Sequence, residues 1–174
     1  MSKRIITLGK WNDTPIEWIV LKEENNNALV ISRLALFAMD CRNNGNTTMD
    51  WEYSVLRSYL NGEFYNKAFS SIEKLQIVNA KLEDVNNAKD NVFLLSKQEA
   101  ETFMTQDERK CGNGECPGNC NICYQNSNSC GTCWFLRTKC SDEDDGIYFI
   151  NCDGEVTWGD GEMSIRPSVW IKEK

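Results

Sequence analysis

The chain has 174 residues, 41% of them hydrophobic, with six Trp, seven Phe and five Tyr. That is enough to bury a core in a single domain over residues 1–174. The net charge of −7 with no basic run excludes a nucleic-acid binder, which must neutralise phosphates. With no histidine at all, Ser-His-Asp, Cys-His and His-rich zinc chemistries are excluded as well.

The N-terminal "MSKRIITLGKW" lacks the apolar core of a signal peptide, and no run is long enough to span a membrane. This predicts cytoplasmic synthesis without membrane insertion. A virion-associated protein, or one exported without a signal, fits the same reading.

In chain order, "RIITLG", "IEWIVLK" and "ALVISR" read as strands. Asn12-Asp13 forms a β-turn, and "ENNN" turns the chain before the third strand. Ile16, Trp18 and Val20 alternate with Glu17, Ile19 and Leu21, which predicts a strand covered on both faces. "MDCRNNGNTTMD" is a polar loop holding Cys41, read as a small buried hydrophobe. Leu56, Leu60, Phe64 and Ala68 then fall at helical spacing, with a break expected at Asn61-Gly62 and a second short helix after it.

"NVFLLS" reads as a strand, and Ser96 with Glu99 forms a capping box for a further helix over "KQEAETFM". Beyond the cysteine-rich stretch come the strands "CWFLRTK" and "IYFINC" around the acidic turn Asp142–Asp145. "VTW" and "IRPSVWIK" follow. The acidic turn lacks EF-hand spacing and reads as a solvated hairpin turn. Strands at both ends with helices between predict an α+β domain whose N- and C-terminal strands share an antiparallel sheet, with two or three helices in the first two thirds.

Six of the nine cysteines lie between 111 and 133, inside a predicted insertion loop over 105–133. Cys120-x2-Cys123 and Cys130-x2-Cys133 are two knuckles of the kind that aims paired thiolates at one Zn²⁺. Cys111 and Cys116 can replace one knuckle or build a second site, so the candidate metal ligands are Cys111, Cys116, Cys120, Cys123, Cys130 and Cys133. Arg109, Lys110, Arg137 and Lys139 at the edges can offset thiolate charge, and Cys140 continues the spacing. Glycine, asparagine and proline supply turns but no core, so the loop needs a staple. Disulfides are the competing staple and need an oxidising compartment; redox catalysis needs a strand-to-helix context that neither knuckle has. Cys152 ends a strand that should pair with residues 133–139, so it returns towards Cys133.

Trp51, Trp134, Phe135, Phe149 and Trp170 sit within regular patterns and read as core. Trp158 stands in "TWGDGEMS", where a loop is expected, and Trp158, Asp160 and Glu162 are candidate ligand contacts. Arg57, Arg137 and Arg166 read as structural donors to carbonyls or carboxylates.

Taken in order, "LGKWNDTPIEWIVLKEENNNALVIS", "WEYSVLRSYLNGEFYNKAF" with Glu73 after it, "NVFLLSKQEAETF", "CWFLRT" and "IRPSVWI" resemble an uncharacterised domain family of bacterial and phage genomes. That family has the pattern W-x-V-L, W-E-x-S-x-L-R-x-x-L-N-x-x-F-x-x-x-A-F, W-x-L-R and R-P-x-x-W. The likeness covers nearly the whole chain outside 105–132. The closing pattern is also similar to the C-type-lectin-like fold of formylglycine-generating enzymes and of the variable ligand-binding proteins of diversity-generating retroelements. The resemblance implies a rigid scaffold displaying C-terminal loops for binding, which reads as a non-enzymatic domain for a protein or glycan ligand. The chain departs from the family pattern in its cysteine loop, a local addition whose knuckle spacing predicts zinc. An intracellular zinc-stabilised adaptor and a copper-dependent, formylglycine-generating oxidase are the alternatives.

Overall fold

In a computed structural model, the protein is described over residues 3–40, 50–86, 88–111, 132–140, 146–159 and 161–173. It is an α+β domain with two five-stranded sheets, largely antiparallel, and a few short helices.

The first sheet grows from two tight turns. β1 (Ile5–Trp11) and β2 (Thr14–Glu24) are joined by Asn12-Asp13, and β2 and β3 (Asn27–Ser32) by Asn25-Asn26. All four turn residues have positive φ, 47° to 63°, the conformation that lets a two-residue hairpin follow the strand twist. In β2, Ile16, Trp18 and Val20 are buried while Ile19 and Leu21 are only partly covered, so the second face is less enclosed than the alternation predicts. β12 (Ser168–Lys172) runs antiparallel to β3, with Val169 opposite Val30, and β5 (Ile77–Val78) closes the order β1-β2-β3-β12-β5. Strands from both ends of the chain thus meet in one antiparallel sheet, as expected.

The second sheet has the order β10-β9-β8-β11-β4. Its strands are β4 (Phe37–Asp40), β8 (Trp134–Lys139), β9 (Ile147–Ile150), β10 (Val156–Gly159) and β11 (Glu162–Ile165). A small hairpin of β6 (Ala80–Leu82) and β7 (Ala88–Asp90) lies apart from both. The expected closing run "IRPSVWIK" is divided. Pro167 has no N–H to give a ladder, so Ile165 ends β11 in one sheet and Ser168 begins β12 in the other. The ribbon β3–β4 crosses beside it, since β3 pairs with β12 and β4 with β11. At this crossover, Ser32 N–H donates to Pro167 O (2.8 Å) and Leu36 N–H to Ile165 O (3.0 Å).

The helical stretch does not break at Asn61-Gly62. α1 (Val55–Tyr59) continues through a π-turn at Leu60–Phe64 into α2 (Tyr65–Ala68). The cause is Asn61, whose side-chain amide donates to Arg57 O and Val92 O while its oxygen accepts from the Asn91 and Val92 N–H groups. One wide turn is the distortion that accommodates such a side chain. The same bonds explain why "NVFLLS" is not a strand. Val92–Leu95 are fully buried, but their backbone is satisfied by Asn61, by Arg137 and by an isolated bridge between Phe93 and Ser168. A buried apolar run reads as a strand, yet here it crosses the core without a ladder.

α4 (Lys97–Phe103) begins at the expected Ser96–Glu99 capping box. Two shorter helices, α3 (Ser71–Lys74) and α5 (Gln106–Arg109), carry the same box at Ser70–Glu73 and Thr105–Glu108. α5 occupies the start of the predicted insertion loop and docks through Gln106 Nε2 on Asp153 O (3.1 Å). The core joins the layers through an aromatic cluster: Phe37 lies 5.4 Å from Trp11, 5.4 Å from Tyr59 and 5.7 Å from Phe64 between ring centroids. Among the expected core aromatics, Trp51, Trp134, Phe135 and Phe149 are buried, whereas Trp170 is only half-buried.

Glu73 links α3 to β1. Its carboxylate accepts from the Ser70 hydroxyl (2.6 Å), Ser70 N–H (2.8 Å) and Gly9 N–H (2.8 Å). Gly9 is fixed there by a φ of +70° and by the approach of Ala68 O and the Phe69 ring, which leaves no space for a Cβ. The Ser70 hydroxyl, aided by both N–H groups, holds the Glu73 carboxyl below its ordinary value. Its contribution is therefore present above the unfolded pKa of about 4.3 and fades as pH falls through the folded value. Glu73→Gln is expected to cost about 1–2 kcal/mol at pH 7 and clearly less at pH 3, measured by urea unfolding at the two pH values. An equal cost at both would show that the charge is irrelevant.

Candidate functional site

The site that the fold builds most deliberately is the root of the cysteine-rich segment, at the sheet crossover. Cys111 follows α5 and Cys133 precedes β8; both are buried, at 1% and 3% exposure. Thr132 N–H donates to Cys111 O (2.9 Å), Ser164 N–H to Cys133 O (3.1 Å), and the Trp134 indole N–H to Arg109 O (2.9 Å). The two ends of residues 112–131 are thereby tied to each other, to β8 and to β11.

Beside this root lies Arg166, a fully buried side chain. Its Nε donates to Ser32 O (2.7 Å), and its guanidinium stacks over Trp134 at 5.1 Å. Its Nη2 lies 3.4 Å from Arg33 O, and Cys111 Sγ lies 4.0 Å from the same carbonyl. Cys111 Sγ also accepts the Ala35 N–H at 3.3 Å. No carboxylate among the described residues pairs with Arg166, and its Nη1 has no hydrogen-bond partner. Burial pushes the guanidinium below its ordinary value, an effect the neighbouring Cys111 sulfur opposes. Ser32, Thr132 and Ser168, each within two residues of this group in sequence, also bury hydroxyls that have no partner among the described residues. The core thus gathers a cation, a sulfur and spare hydroxyls at the place where the two sheets exchange strands.

Of the predicted metal ligands, Cys111 and Cys133 reach this root, whereas Cys116, Cys120, Cys123 and Cys130 lie outside the described residues. Among the described residues, no three His, Cys, Asp or Glu side chains converge as a metal site. Cys140 is buried at the end of β8, with its N–H on Gly146 O (2.9 Å) closing the β8–β9 hairpin. The acidic turn within that hairpin, and Cys41, lie outside the described residues. Register pairs Trp134 with Ile150, so Cys133 and Cys152 stand at the same end of that hairpin.

The candidate ligand contacts are dispersed. Trp158 is not in a loop; it lies on the edge strand β10, paired in register with Tyr148, and is 48% exposed. Gly146 makes this possible, because a Cβ there would stand 3.1 Å from the indole. Glu162 is exposed at the start of β11, and the sheet order sets β9 and β8 between it and Trp158. Asp160 lies outside the described residues.

All three structural arginines have the expected partners: Arg57 with Asp90 (2.8 Å), Arg137 with Asp84 and Glu99, and Arg166 with backbone carbonyls. What sequence reasoning missed is the crossover itself. Its signal was the Arg-Pro step before β12, which marks a strand end without showing which strand lies opposite.

Among the described residues, no helix is long and apolar enough to cross a membrane. No curated protein and no solved structure matches the chain. A family model does match, over residues 25–173, and the chain belongs to that family, described as Domain of unknown function (DUF6273).

Proposed function

We propose that this protein is a non-enzymatic binding domain, recognising a protein or a glycan, whose C-type-lectin-like scaffold carries a cysteine-rich zinc loop. The observation that carries the reading is the closed root: Thr132 N–H on Cys111 O ties both ends of residues 112–131 to the scaffold. A segment rooted in this way can be presented to a partner without the sheets depending on it.

Other features support the parts of this reading. Cys133, buried at the start of β8, gives the Cys130–Cys133 knuckle one fixed end, and rigid ligands favour metal binding. The Ala35 N–H and the Arg166 charge beside Cys111 suit a thiolate ligand, as outer-shell donors do in metal sites. Strands from both ends of the chain in one sheet support the lectin-like scaffold, and Trp158, Asp160 and Glu162 remain its candidate ligand contacts.

Replacing residues 112–131 with a short Gly/Ser linker tests the reading. The domain should stay folded within about 1 kcal/mol of the parent, since loop length enters closure entropy only logarithmically, and it should lose bound zinc. Unfolding of the shortened chain would sink the idea of an appended loop.

A further inference from the structure

Away from the cysteine root, a cleft of about 490 Å³ opens between the first sheet and α4. Its floor is Trp170 with Leu29 and Val78, which stand opposite Trp170 in register on the two neighbouring strands. One wall is the Arg137 ion-pair network, and Gln98 of α4 stands at the rim.

Two polar groups here are left unused among the described residues. The Trp170 indole N–H and the Gln98 amide make no hydrogen bond among the described residues. Unlike Gln98, Trp170 is half-buried, where an indole N–H normally finds an acceptor. The wall offers no spare charge, because Arg137 donates to Asp84 (2.8 Å) and Glu99 (2.6 Å) and to Leu94 O (2.6 Å). The lining holds Lys22, Lys81 and Arg137 against four carboxylates, a near balance that favours neither an anion nor a cation. The volume falls in the small-ligand range, roughly 300–1,000 Å³, whereas a protein partner needs about 800 Å² of surface on each side.

We propose that this cleft binds a neutral, hydroxyl-rich ligand, a sugar ring lying on Trp170 with its hydroxyls on the indole N–H and the Gln98 amide. The inference rests on the glycan branch of the binding reading and moves its site from Trp158 to Trp170. An indole face complements the C–H face of a pyranose, and a side-chain amide can both donate to and accept from neighbouring hydroxyls.

The test is a ¹H–¹⁵N NMR titration of the full chain with glucose, maltose, cellobiose, lactose and diacetylchitobiose, the Trp170 indole signal being assigned with Trp170→Phe. At least one sugar should shift the Trp170 indole and Gln98 amide signals. Gln98→Ala, an exposed change that leaves the fold intact, should weaken that sugar roughly tenfold, the loss of about one good hydrogen bond. Sugar shifts confined to Trp158 would overturn the cleft assignment while leaving the glycan reading in place. Response to glutamate or inorganic phosphate but to no sugar would overturn the ligand class. Silence towards the whole panel would overturn the inference, and zinc content and the loop replacement would then still judge the loop.

Discussion

Arg137→Met is expected to lower the unfolding free energy by about 3–5 kcal/mol, the cost of removing one partner from a buried charge network. Arg137 is 4% exposed. Its guanidinium spans β8, α4 and the core-crossing segment by donating to Asp84, Glu99 and Leu94 O. The contributions are unequal. Asp84 is 40% exposed and can be rehydrated, so Asp84→Asn should cost less than about 1 kcal/mol. Leu94 is fully buried, so its carbonyl's lost donor is not replaced by water, while Glu99, 25% exposed and also capping α4, is rehydrated only in part. Urea unfolding of the two variants should therefore separate them several-fold, and an Arg137→Met cost below 1 kcal/mol would remove the network from the account.

Arg166→Ala is expected to cost about 3–5 kcal/mol, whereas Arg166→Met should cost less than half as much. Alanine opens a cavity over Trp134 and leaves Ser32 O without its donor. Methionine loses the same bond but keeps the volume, and it removes a buried Nη1 that has no partner. Relief of that desolvated donor offsets much of the lost hydrogen bond. Equal costs for the two variants would mean that the guanidinium charge, rather than its bulk, holds the crossover together.

Much of the fold was legible because its signals are local. The Asn12-Asp13 turn and the Ser96–Glu99 capping box each need a few adjacent residues, and both are present. The boxes at Ser70–Glu73 and Thr105–Glu108 were equally readable, yet the helices they start are only four residues long and have no periodicity to draw notice. The misreadings share a cause, which is tertiary bonding that competes with local pattern. Asn61-Gly62 looks like a breaker, but the Asn61 side chain bonds across to Val92 and turns the break into a π-turn. "NVFLLS" has the apolar content of a strand, while Asn61 and Arg137 take the backbone groups a ladder would use.

The site was less legible than the fold. Cysteine spacing pointed to the loop, but not to where it is rooted. Arg166 meets Ser32 across 134 residues, and the polar cluster around Cys111 exists only because two sheets exchange strands there. Trp170 reads as core from its strand pattern. Its half-exposure follows from β5 being only two residues long, which leaves the cleft open beside it.

The central claim, a zinc-stapled loop on a self-sufficient binding scaffold, is tested most directly by elemental analysis. Protein purified without chelator or metal resin should contain one or two zinc ions per chain, since six thiolates fill one four-coordinate site, or two that share bridging sulfurs. A ratio near zero would contradict it and turn the cysteine-rich segment into a matter of disulfides or thiols.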